Sequence, residues 1–126
     1  MMEDIKRFAK SLSCALNGFL YVIKKERNFQ IEIILGIAVL ILIKIFEVKS
    51  WEAVVLIVMI AAVLVMELAN TVIERVADIL KPKIHPYAKL IKDIMAAAVL
   101  ISSLAAVAVG IIIFLPYFSE LFNGLK

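Results

Sequence analysis

Residues 53–78 read AVVLIVMIAAVLVMELANTVIERVAD, a run that is wholly apolar through Met66 and then carries Glu67, Asn70, Glu74 and Asp78 without losing its apolar rhythm. At about 100° per residue the four polar positions fall near 0°, −60°, −20° and +20°, inside a sector of about 80°. The stretch is therefore one long helix with a polar stripe on one side of its C-terminal part. Its first half is a membrane span by composition, and ionisable groups at membrane depth are costly unless paired, hydrated or bound to a cation.

The rest of the chain fits that frame. Of 126 residues, 64% are hydrophobic and the mean hydropathy is +1.05, against roughly 45–50% apolar in ordinary soluble domains. The length allows three crossings and one shorter segment in a single domain, residues 1–126. Ile5, Phe8, Leu12, Leu16 and Phe19 recur at helical spacing, with Lys6, Arg7 and Lys10 set apart, which predicts an amphipathic surface helix over about 3–25. Spans are expected at about 28–46, 53–80 and 88–115. A polar turn over Glu47–Glu52 joins the first two, with Trp51 in the headgroup belt. Pro82 and Pro86 should stop the second span near Lys81, and Pro116 should mark the exit of the third. The fold expected is all-α and integral to the membrane.

Basic residues collect before the first span (Lys6, Arg7, Lys10, Lys24, Lys25, Arg27) and around the second connection (Arg75, Lys81, Lys83, Lys89, Lys92). The positive-inside bias then predicts a multi-pass membrane protein with the N-terminus and the 81–92 loop cytoplasmic and the C-terminus outside. The charged N-terminal segment lacks the pattern of a cleaved secretory signal. The lone Cys14 reads as a packing residue, and no Cys/His cluster suggests zinc. The four glycines are isolated, so no glycine-rich phosphate loop is present. Nothing in the chain suggests a nucleic-acid partner, and His85, between two prolines, reads as an ordinary loop residue.

A stripe of this kind could form an ion path, a divalent-metal site or polar glue between helices. Depth separates these roles. The half of the span from Ala53 to Met66 has no polar residue, so a continuous path lacks its other half. A site at the cytoplasmic interface remains, where carboxylates can hold Mg²⁺ and lysines phosphate.

The stretch Glu67-Leu-Ala-Asn70-Thr-Val-Ile-Glu74-Arg-Val-Ala-Asp78 resembles the E-x-x-N-[ST]-x-[IL]-E-x-x-x-D motif of the small bacterial membrane kinases, the prokaryotic diacylglycerol kinase and undecaprenol kinase family. Glu26–Glu32 resembles that family's acidic opening of the first span, and His85–Lys89 with Lys92-Asp93 and Ala96–Leu100 resembles its loop and third-span opening. The resemblance implies a homotrimer with active sites composed between protomers at the cytoplasmic face, using ATP as co-substrate and Mg²⁺. Carried over by position, Glu26 and Glu74 would ligate the metal and Glu67 would be the general base for a lipid hydroxyl. Asn70, Lys92 and Asp93 would position phosphates or neighbouring side chains, with Glu32 and Asp78 near the nucleotide. These roles suit phosphoryl transfer, which depends mainly on alignment and charge neutralisation.

The His85-Pro86 loop and the alanine-rich Ile94–Ala98 opening look more like the undecaprenol branch than the diacylglycerol branch. Diacylglycerol is the alternative acceptor. The alternative of another class is a non-enzymatic scaffold or channel that uses the stripe for assembly.

Overall fold

The computed structural model describes residues 1–80 and 85–124. They form four helices: α1 (Met2–Lys25), α2 (Arg27–Ile45), α3 (Ser50–Leu80) and α4 (His85–Gly124). Among the described residues there is no strand. Three helices are long and apolar enough to cross a bilayer, over Arg27–Ile45, Ser50–Ile79 and Pro86–Gly124. The loop assigned to Lys81, Pro82, Lys83 and Ile84 lies outside the described residues.

Helix α1 stands apart from the others. Its charges complement the helix dipole, with Glu3 and Asp4 in the first turn and Lys24 and Lys25 in the last. Its apolar residues Ile5, Phe8, Leu12 and Leu16 are exposed, and within the helix only Val22 is buried. A stripe of this size left uncovered suits a helix lying on a lipid surface. Cys14, expected to pack, is exposed, because the chain supplies no second layer over this helix.

One residue separates α1 from α2. Glu26 is extended (φ −105°, ψ 110°), its N–H donates to Val22 O at 2.8 Å, and its carbonyl accepts from Gln30 N. Gln30 Nε2 donates to Ile23 O at 2.7 Å, which satisfies a carbonyl at the end of α1. Phe29 is fully buried and meets Phe19 edge-on, with ring centroids 5.6 Å apart, so apolar contact bridges the bend. Glu26 is thereby held at a defined corner.

The turn between α2 and α3 is shorter than the sequence suggests. It covers 46–49, and Trp51 and Glu52 lie in the first turn of α3. Glu47 takes φ +47°, and Val48 N–H reaches back to Ile43 O at 3.2 Å, the 6→1 bond of a left-handed helix ending. Val48 is buried and joins Leu56, Ile113 and Phe114 in the one apolar cluster formed by buried residues among those described. Gly36 lets α2 approach α3, since a Cβ there would stand 3.0 Å from Ile60.

Helix α4 does not end at Pro116; it runs on to Gly124. Proline removes one helical hydrogen bond without forbidding the helix that follows it. Here Phe114 and Tyr117 anchor the segment on both sides of the proline, and Ser119 Oγ donates to Pro116 O at 2.7 Å.

Helices α3 and α4 pair along their length, and polar contacts tie the pair at both ends. Lys92 meets Asp78 at one end and Tyr117 meets Glu52 at the other. About 26 residues on α3 and 25 on α4 separate these ties, or some 38 Å of helix. That span matches a hydrocarbon core plus part of each interface.

Candidate active site

The first half of the α3 stripe turns inward, while Glu74 is half-buried and Asp78 exposed. Glu67 is 3% exposed, Asn70 9% and Thr71 5%, and they are the buried polar residues among those described. Helix packing explains the sequence: Glu67, Asn70 and Glu74 are one and two turns apart, so burying one of them against α2 brings the others to the same seam. Asn70 Nδ2 donates to Glu74 Oε1 at 3.4 Å. Thr71 Oγ1 donates to the Glu67 carbonyl at 3.0 Å, which commits its proton within the helix.

The corner at Glu26 brings α2 to this seam. Glu67 lies close enough to Glu26, Glu32 and Glu74 for their charges to act on it, and the Asn28 side chain stands near enough to its carboxylate to act as a donor toward it. Glu26 Oε1 accepts from Arg75 Nη2 at 2.5 Å. One turn further on, Lys92 Nζ donates to Asp78 Oδ1 at 2.7 Å, within electrostatic range of Glu74 and Arg75. The seam thus gathers Glu26, Glu32, Glu67, Asn70, Glu74, Asp78 and Lys92 from the three spans. Asp93 does not join them. It is exposed on α4, and no hydrogen bond or ion pair among the described residues includes it.

Two side chains in the group were not singled out from the sequence. Asn28 looked like the first residue of a span, and Arg75 like one more basic residue at a span end. On the α3 wheel Arg75 sits about 60° beyond the stripe. Only the corner at Glu26 turns it into a site residue.

Two buried oxygens, Glu32 Oε2 and Asn70 Oδ1, have no hydrogen-bond partner among the described residues. Buried polar atoms are normally paired, so these acceptors are suited to a donor or cation from outside the chain. The donor set is all oxygen, which fits a hard cation such as Mg²⁺. Among the described residues no three acidic, His or Cys side chains gather into a metal-binding group.

Apolar grooves flank the seam. One, of about 590 Å³, runs over α3 between α2 and α4, from Glu32 at one end to Phe118 at the other. The second, of about 730 Å³, lies between α1 and α3 and reaches Thr71 and Arg75. A carboxylate site inside apolar walls can meet a lipid that carries a polar head, without that lipid leaving the membrane.

Comparison with known proteins agrees with this geometry. The family model for prokaryotic diacylglycerol kinase matches residues 13–114. The chain belongs to the prokaryotic diacylglycerol kinase family. It is 35% identical to an undecaprenol kinase of Bacillus subtilis (strain 168) over 114 residues, 90% of this chain and 93% of that protein. It is also 35% identical to a diacylglycerol kinase of Synechocystis sp. (strain ATCC 27184 / PCC 6803 / Kazusa), over 84% of this chain and 61% of that protein. The protein is thus a membrane-embedded lipid kinase, and the scaffold or channel alternative falls away.

Proposed function

We propose that this kinase transfers the γ-phosphoryl group of ATP to the hydroxyl of undecaprenol, with Mg²⁺, at the cytoplasmic face of a bacterial membrane. The observation that carries the proposal is Glu67, a carboxylate almost closed off from water within an apolar span, with Asn28 of α2 and Glu26 of the corner close enough to act on it. A soluble-substrate enzyme has no use for a base at that depth; a lipid hydroxyl can reach it from the bilayer. The near full-length match to an undecaprenol kinase favours that acceptor, and the Synechocystis relative keeps diacylglycerol as the second reading.

In this mechanism Glu67 accepts the proton as the lipid oxygen attacks the γ-phosphorus, while the bond from that phosphorus to the ADP oxygen breaks. Asn28 fixes the carboxylate that receives the proton. Glu26 and Glu74 are the candidate metal ligands; Mg²⁺ is commonly held by one or two carboxylates with phosphate oxygens and water completing its shell. When bound, it neutralises charge on the transferring phosphoryl group. Asn70 Oδ1 faces the same seam, and Lys92, steadied by Asp78, supplies positive charge for the phosphates. Glu32 lies on the same seam, and Asp93, exposed on α4 next to Lys92, can act only from its outer edge.

The basic residues at the α1–α2 corner and around 81–92 favour a cytoplasmic N-terminus and an outward C-terminus. The exposed apolar faces of the three spans leave room for a homotrimer, with part of the site completed by a second copy.

Purified protein given Mg-ATP and each lipid in bilayers tests the reading. Phosphate should pass to undecaprenol faster than to diacylglycerol. A faster rate with diacylglycerol would reverse the acceptor assignment, and dependence of the rate on ATP alone, without divalent cation, would remove the metal ligands. Crosslinking in the membrane should stop at three copies.

A further inference from the structure

The Glu26–Arg75 pair joins residues 49 apart and is the contact between a basic side chain and the Glu26, Glu67 and Glu74 carboxylates that is short enough to be a hydrogen bond. We propose that Arg75 and a divalent cation compete for the Glu26 carboxylate, and that the guanidinium displaced from it binds the nucleotide's phosphates. This rests on the reading of Glu26 as a metal ligand.

Three observations carry the inference. First, Glu26 does not need Arg75 to find its place: its backbone is fixed by the hydrogen bonds to Val22 and Gln30 and by the Phe19–Phe29 contact across the corner. The ion pair is therefore free to exchange without dismantling the bend. Second, the carboxylates are crowded, with Glu67 within electrostatic range of both Glu26 and Glu74, so positive charge at Glu26 is favoured whether a guanidinium or a metal supplies it. The same lone pairs of Glu26 can serve a guanidinium or a metal, and not both fully. Third, the Arg75 side chain is 53% exposed and within range of Asp78. Exposed ion pairs are individually weak, so a divalent charge can displace this one. Arg75 also stands one turn from the Lys92–Asp78 pair, on the side where phosphates are expected, and a planar guanidinium binds phosphate oxygens in pairs.

A mere staple between α2 and α3 behaves differently. Loss of a staple loosens Glu26 and weakens metal and nucleotide binding together. Loss of a competing counterion tightens one and weakens the other.

The test uses the full chain in bilayers, with Mn²⁺ as the metal probe read by electron paramagnetic resonance, first without nucleotide and then with ATP titrated at saturating Mn²⁺. Arg75→Gln should bind Mn²⁺ about fivefold more tightly than the parent, the gain expected when a weak competing ion pair is removed. Its ATP affinity should fall about tenfold, for loss of a charge-assisted phosphate contact. Arg75→Lys keeps the charge but not the fork, and should lie between the two on both measures. It also serves if the glutamine variant fails to fold. Mn²⁺ binding to Arg75→Gln or Arg75→Lys that is no tighter than the parent's, while Glu26→Gln binds it more weakly, overturns the exchange and leaves Glu26 as a ligand. Unchanged Mn²⁺ affinity in Glu26→Gln removes the metal reading itself, and the exchange with it.

Discussion

The two ends of the α3–α4 pair are closed by opposite means. At the end near Glu52, Tyr117 Oη donates to Glu52 Oε2 at 2.6 Å and accepts from Lys49 N–H at 3.2 Å, beneath the rings of Phe46, Phe114 and Phe118. The Tyr117 hydroxyl there is used as both donor and acceptor, and the apolar cluster of the fold sits alongside. At the other end, charges are crowded and two buried oxygens are left without a partner among the described residues. One end is finished as a structure; the other is finished only when something binds. Buried polar atoms without partners are costly, and proteins keep such costs where function needs them.

The largest effect that would sharpen this contrast is at Glu67. Glu67→Gln keeps the shape of the side chain and removes its ability to take a proton. Turnover should fall about 10²- to 10⁴-fold, the usual worth of a positioned general base. Thermal stability and ATP binding should stay near the parent's. Equal loss of ATP binding would move Glu67 from the chemistry to the framework, and would blur the distinction between the two ends.

Phe114→Ala should do the reverse. Phe114 is buried in the apolar cluster and touches the ring of Phe46, and large-to-small changes at such sites cost about 3–5 kcal/mol. The unfolding midpoint in detergent should drop, while KM for ATP per folded molecule holds. A selective rise in KM instead would couple the two ends. Glu74→Gln comes next: the divalent-cation concentration for half-maximal rate should rise at least about tenfold, if loss of a direct ligand costs no less than loss of an outer-shell partner.

What the sequence made legible follows from the same contrast. Glu67, Asn70, Glu74 and Asp78 lie on one helix, so their common face could be computed from spacing alone. The crossings were equally plain, because a long apolar run needs no tertiary information. Asn28 and Arg75 became visible only through the corner at Glu26, where one extended residue turns α2 against α3; the wheel of α3 places Arg75 off the stripe and says nothing of its partner 49 residues earlier. Pro116 was expected to mark an exit, and the helix runs past it to Gly124 because Phe114 and Tyr117 anchor it on either side. Tyr117 and Glu52, 65 residues apart, had no signal that would pair them.

Tyr117→Phe is the smallest and most discriminating change at the finished end. It deletes one oxygen, and with it the donor to Glu52 and the acceptor for Lys49 N–H. The ring remains, so the contact with Phe46, at a centroid distance of 6.1 Å, survives. Glu52 and the turn at 46–49 lie at the end of the span, where water can replace the lost partner, and the fall in melting temperature should accordingly be smaller than for Phe114→Ala. Hydrogen exchange should rise at Lys49, whose amide loses its acceptor, and stay unchanged at residues 67–78. Kinase rate and metal requirement should also stay unchanged. A shift in exchange around Glu67 would mean that the tie at one end sets the packing of the seam about 22 Å of helix away, and the two ends would then be a single device rather than two.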